Sequence, residues 1–129
     1  MGLLDAQVGW LANVAQNYLA TGNPPERYGN AHANIVPYET FPTADGEIAV
    51  GIGSDDQFRR FCAAAGRQDL GDDLRYQTNA GRIASRTELI AALRGVFAEG
   101  KSADWLVMLN GLRIPAAPIN DIPTILNDP

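Results

Sequence analysis

The sequence predicts an α+β domain. Three observations predict it. A single hairpin signal, Asp45-Gly46, lies between two extended apolar runs. Several other segments repeat apolar residues at helical spacing. The order is helix, hairpin, helices and a final extended strap, with no repeating strand–helix–strand unit.

Leu3 to Ala20 reads as one long helix. Leu4, Val8, Leu11, Ala15 and Tyr18 alternate by four and three, and Leu3, Ala12 and Leu19 widen the stripe. Trp10 adds bulk on another side, so this helix asks for packing on more than one face. Gly22 followed by Pro24-Pro25 stops it. Residues 21–34 form a loop rich in Gly, Asn and Pro. Ile35 to Phe41 then reads as a strand, and Pro37 places it at a sheet edge. Residues 42–46 make the turn, with Asp-Gly as its signal. Glu47 to Ile52 is the partner strand, with Ile48, Val50 and Ile52 on one face and Glu47, Ala49 and Gly51 on the other.

Ser54 with Gln57 forms a capping box. Phe58, Phe61, Cys62 and Ala65 mark the face of the helix that follows, and Gly66 ends it. Residues 67–82 have no clear period and read as an irregular connection with a short helical turn. Ser85 and Glu88 form a second capping box ahead of Leu89, Ile90, Leu93, Val96 and Phe97, which Gly100 stops. Ser102 is expected to cap a third helix with Trp105, Leu106 and Leu109 inward, ending at Gly111. Pro115 and Pro118 make 114–119 an edge strand or strap. Asp121 is expected to cap a last short helix through Leu126. The chain starts directly in a helix and stops at Asp128-Pro129 without a closing element, so both ends read as cut.

At 129 residues with net charge −5 the chain is one domain by length, and nothing in it favours nucleic acid or an anionic membrane surface. Nine of the ten basic residues are Arg, scattered along the chain. A single cysteine excludes an internal disulfide and a Cys-based zinc site, which fits a reducing cytoplasm. No apolar run reaches the ~18 residues a membrane span needs, and no secretory signal is visible.

Few residues carry chemistry by spacing alone. Gly51-Ile52-Gly53 stands between a strand and a helix, but no glycine occupies position 56 and no lysine follows, as a phosphate loop requires. Asp55 and Asp56 sit in the first turn instead and complement the helix dipole. Cys62 lies among Phe58 and Phe61 and reads as a buried, inert thiol. Asp5, Asp69, Asp72 and Asp73 read as loop or surface acids, and none is selected as a nucleophile. His32 is the one histidine, in a small-residue loop with Asn30 and Asn34, and no second histidine or cysteine stands near it to share a metal.

That loop carries a resemblance. Residues 27–46 begin Arg27-Tyr28-Gly29-Asn30-Ala31-His32-Ala33-Asn34-Ile35-Val36-Pro37-Tyr38 and close on Asp45-Gly46. Together with Leu3-Leu4-Asp5, Thr21-Gly22, Gln57-Phe58, Asn79 with Arg82, Arg86, Asp104-Trp105 and the run 114–122, they resemble the small domain of the class III CoA-transferases, the group of formyl-CoA transferase, carnitine-CoA transferase and 2-methylacyl-CoA racemase. The resemblance implies that residues 1–22 are a linker helix from a large domain and 23–129 are the small domain, with 27–36 as a loop facing the active site. It implies covalent catalysis by an aspartate that attacks the acyl-CoA thioester. That aspartate lies upstream of the segment matching Leu3-Leu4-Asp5, so no catalytic residue is expected within this chain. Gly29, Asn30, His32 and Asn34 are implied as active-site loop residues that supply backbone amides and polar side chains. Coenzyme A enters as a thioester substrate, and no cofactor is implied. The implied partners are acyl-CoA and carboxylic acid substrates, and a second copy of the full-length chain in a homodimer. A run of glycines found in some relatives is replaced here by the bulkier Asn30-Ala31-His32-Ala33, which weakens a specific claim for formate or oxalate as substrate. Two alternatives stay open: a racemase of the same superfamily, which moves a proton beside the thioester carbonyl, and a binding or assembly module without chemistry.

Overall fold

The computed structural model describes residues 2–127. Eight helices and a three-stranded antiparallel sheet make up this part, an α+β arrangement. The expected chain stop at Asp128-Pro129 lies outside the described residues. No described helix is long and apolar enough to cross a membrane.

The helix expected over 3–20 is two helices, α1 (Leu3–Gly9) and α2 (Ala12–Thr21). Between them the backbone tightens: Trp10 N–H donates to Gln7 O at 3.2 Å and Leu11 N–H to Val8 O at 3.0 Å, three residues back instead of four. Gly9 sits at this break, where glycine costs a helix about 1 kcal/mol relative to alanine. Neither helix buries a residue. Leu3, Leu4, Trp10 and Leu19 remain at least three-quarters exposed, so the wide apolar stripe has no partner within the described residues.

Strand β1 (Tyr38–Pro42) starts three residues later than expected, because Ile35 to Pro37 belong to the preceding loop, which passes through a cis Val36–Pro37 peptide. β1 pairs with β2 (Glu47–Gly51), with Phe41 opposite Ile48 and Glu39 opposite Val50. The connection is the four-residue loop 43–46, closed by Thr43 N–H on Gly46 O at 2.9 Å, with Pro42 of the expected turn belonging to β1. On its other side β2 pairs with β3 (Ala116–Pro118), Ala49 facing Ala117. The proline-rich strap is therefore an edge strand.

One face of the sheet carries Phe41, Ile48 and Val50 into the core. It packs against α3 (Asp55–Ala64), α6 (Arg86–Ala98) and α7 (Ser102–Gly111), which contribute Phe58, Phe61, Leu89, Leu93, Phe97, Trp105 and Leu109. Phe97 stacks on Phe61 and meets Phe41 and Trp105 at tilted angles, with ring centroids 4.6–5.3 Å apart. The opposite face carries Tyr38, Thr40, Ala49, Gly51 and Ala117. The Tyr38 ring lies over Gly51 so closely that a β-carbon there would meet it at 2.7 Å.

The Ser54–Gln57 capping box forms as expected. The one at Ser85 does not. Ser85 joins α5 (Asn79–Ala84) directly to α6 and makes no side-chain cap, while Glu88 pairs with Arg75 at 2.8 Å. Thr78 supplies the cap of α5 instead, accepting from Gly81 N–H. Residues 67–82 thus hold α4 (Gln68–Asp72) and the start of α5. Ser102 is the first residue of α7 and not its cap. Its N–H donates to the Asp45 carboxylate at 2.7 Å, and its hydroxyl meets Thr43 Oγ1 at 2.7 Å. The hairpin loop therefore caps a helix 57 residues away. Asp121 caps α8 (Ile122–Leu126) through Thr124 N–H at 2.8 Å.

Candidate functional site

The candidate loop, residues 27–36, has no regular structure, so its backbone polar groups must find partners elsewhere. It begins with a turn in which Ala31 N–H donates to Tyr28 O at 3.0 Å and Gly29 takes φ +60°, a conformation that favours glycine. His32 N–H donates to Tyr38 O at 2.9 Å, which ties the loop to the start of β1. The His32 ring lies 5.3 Å from that of Tyr38. Its Nδ1 accepts the Asn34 N–H at 3.0 Å, which leaves Nε2 to carry the ring proton.

Side chains from α5 and from the start of α6 take up the rest of the loop. Asn79 Nδ2 donates to Asn34 O at 2.8 Å, and Asn79 Oδ1 accepts the Val36 N–H at 3.1 Å. Arg82 Nε donates to Val36 O at 2.6 Å. Arg86 Nη2 donates to both His32 O and Ala33 O, at 3.0 and 2.8 Å. Arg82 is completely buried, with its other nitrogens on Tyr76 O and the Asp55 carboxylate, both at 2.9 Å, and its guanidinium over the Phe58 ring. The Arg86 guanidinium stacks over Tyr28, 5.4 Å from the ring centre. Asn34 also exchanges two amide hydrogen bonds with Asn17 of α2, at 3.0 and 3.1 Å.

The structure brings Gly29, Asn30, His32 and Asn34 together on one short loop. Gly29, Asn30 and Asn34 are exposed, and His32 is half-buried. Asn30 lines a groove of about 380 Å³ on the outer sheet face with Tyr38, Thr40, Ala49 and Asn110. On the other side of the loop, a shallow depression of about 640 Å³ is bounded by Arg27, Tyr28, Arg86, Thr87 and Arg94. The sequence reading missed the roles of Asn79, Arg82 and Arg86. Asn79 and Arg82, three residues apart on α5, share a helical face, whereas Arg86 lies on α6 beyond Ser85.

Cys62 is buried, and burial pushes its thiol up to about 11, so it is protonated and unreactive at neutral pH. Asp55 does more than stand in a first helical turn, because it also pairs with the buried Arg82. Among the described residues no group of three or more His, Cys, Asp or Glu is placed to hold a metal ion.

The chain matches the model of CoA-transferase family III over residues 1–129. It belongs to that family. A succinate–glutarate CoA-transferase of Agrobacterium fabrum is 43% identical over 129 residues, covering 100% of this chain and 32% of that protein. The human succinyl-CoA:glutarate CoA-transferase is 39% identical over 127 residues, covering 98% of this chain and 29% of that one. A crystal structure of a CaiB/BaiF family protein from Brucella suis superposes with a TM-score of 0.81 at 41% identity, over 100% of this chain and 34% of its own. A Mycobacterium tuberculosis protein shares the fold at 23% identity, with a TM-score of 0.79, over 100% of this chain and 32% of its own. This family III chain therefore spans about a third of the length of the relatives it matches.

Proposed function

We propose that this chain is the small domain of a class III CoA-transferase, joined to a large domain through the helical segment 1–22, with residues 23–129 closing over the active site. The observation that carries this reading is the family match along the whole chain. The unpartnered apolar stripe on α1 and α2 supports it, because such a face is stable only when something covers it.

In this reading an aspartate of the large domain attacks the acyl-CoA carbonyl. The carbon–sulfur bond breaks and CoA leaves as the thiolate, forming an acyl-aspartyl anhydride. Loop 27–36 lies over that anhydride. Its small residues let the backbone approach, and closure excludes water, which would otherwise hydrolyse the anhydride. Gly29, Asn30, His32 and Asn34 contribute amides and polar side chains, not a nucleophile. Succinate and glutarate, the four- and five-carbon dicarboxylates, are the proposed substrates. The relatives named for succinate and glutarate are 39–43% identical, against 28% for an acetyl-CoA:oxalate CoA-transferase of Acetobacter aceti. The full-length enzyme is proposed to act as a homodimer.

The test is CoA exchange between succinyl-CoA and glutarate by the full-length enzyme, followed by chromatography of the thioesters. Glutaryl-CoA formation by that enzyme, with none from the 129-residue chain alone, is the expected result. Exchange by this chain alone, or its absence from the full-length enzyme, overturns the reading.

A further inference from the structure

We infer that Asn79 is a positioning residue for acyl transfer, acting through the backbone of the candidate loop, with Arg82 and Arg86 completing the same clamp. The inference rests on the function proposed above. A carboxamide carries a donor and an acceptor at one end, so a single side chain can pair with a backbone carbonyl and an amide two residues apart. Asn79 does this across Asn34 O and Val36 N–H. Arg86 takes the carbonyls of His32 and Ala33, and Arg82 takes that of Val36.

Four carbonyl oxygens of one loop are thus held by side chains of α5 and α6. The N–H groups of Asn30 and Ala33 have no acceptor among the described residues. The clamp takes four carbonyls and one N–H, that of Val36, and the open N–H groups of Asn30 and Ala33 suit a loop that approaches the electron-rich oxygens of an acyl group. The clamp is itself fixed. Arg82 is immobilised by Tyr76 O and Asp55, and the stacking of Arg86 on Tyr28 ties in the residue before Gly29. A displacement of about 1 Å in such a positioning element can cost a reaction on the order of 100-fold, and here it would also admit water.

The test is Asn79→Asp in the full-length enzyme. The carboxylate still accepts from Val36 N–H but sets an oxygen against Asn34 O. The readouts are kcat and KM for transfer, and the ratio of hydrolysis to transfer. In hydrolysis water adds to the acyl carbonyl, so the donor thioester ends as free carboxylic acid and CoA. The expected result is a fall in kcat of roughly 10- to 100-fold with KM within about 3-fold, as for a group that acts in the transition state and not in ground-state binding, and a raised hydrolysis ratio. Arg75→Gln, which breaks the pairs with Asp73 and Glu88 away from the loop, serves as the structural control and leaves the ratio unchanged. Should Asn79→Asp fail to fold, Asn79→Ser, too short to reach either backbone group, carries the same expectation. A folded variant with unchanged kcat and ratio overturns the inference alone. A parent enzyme without CoA transfer overturns this inference and the proposed function together.

Discussion

Replacing Arg82 with methionine removes a buried cation while keeping most of its length. Arg82 is 0% exposed and donates to Val36 O, Tyr76 O and Asp55. The two carbonyls belong to buried residues and would lose their donor, at about 1–3 kcal/mol each. The bond to Asp55 contributes little, since that carboxylate is 48% exposed and can turn to water; such pairs are worth about 0–1 kcal/mol. Opposing these losses, the variant no longer desolvates a guanidinium, and some buried ion pairs are replaced by apolar groups at no net cost. That exchange is neutral only when both partners become apolar, and backbone carbonyls cannot. The net expectation is a loss of about 2–4 kcal/mol. At about 3–5 °C per kcal/mol for a domain of this size, Tm falls by about 6–20 °C. Thermal and urea unfolding of the chain, followed by circular dichroism, measures it. Asp55→Asn in the same assay loses less than about 1 kcal/mol. A loss under about 1 kcal/mol for Arg82→Met, or equal losses for both variants, refutes the claim that the two backbone carbonyls are what Arg82 satisfies.

Four other outcomes are expected. Gly81→Ala destabilises the chain, because its β-carbon would strike the carbonyl oxygen of Arg75; unfolding midpoints report it, and an unchanged midpoint contradicts the close approach. Phe97→Ala costs about 3–5 kcal/mol in urea unfolding, since it empties the centre of the Phe41, Phe61 and Trp105 cluster. Cys62 in the native chain resists a thiol-specific disulfide reagent at pH 8 and reacts promptly in denaturant, because burial holds the thiol protonated. The Ser102 amide that donates to Asp45 holds its carboxyl below the usual carboxylate range. The stability from that bond is complete above the unfolded-state value and is lost as pH falls through the lower folded-state value. Unfolding of Asp45→Asn is therefore less acid-sensitive below about pH 4 than that of the parent.

The elements that sequence showed best were those whose signals are local. Ser54 with Gln57, the Asp121 cap, and the spacing of Leu89, Leu93 and Phe97 each act within one or two turns, and each was readable. Failures came where a distant residue won the contest. Ser102 looked like a cap, but Asp45 supplies the acceptor across the hairpin. Glu88 looked like half of a capping box, but Arg75 draws it away. The long first helix broke at Gly9, a local cost that the apolar stripe outweighed in the reading but not in the structure. At the candidate loop, the small residues and the histidine stood out, whereas Asn79 and Arg82 lay in a segment with no apolar period and Arg86 at the polar start of the next helix. Their partners are backbone atoms about 45–55 residues away, and no local pattern encodes those.

We propose that this chain positions and encloses an acyl group bound to a carboxylate outside it. The most direct measurement incubates the full-length enzyme with succinyl-CoA, traps the acylated carboxylate by reduction, and locates the modified peptide by mass spectrometry. One modified aspartate, outside residues 1–129, is expected. A modified carboxylate at Asp5, Asp55, Asp56 or any other acid of this chain would contradict it.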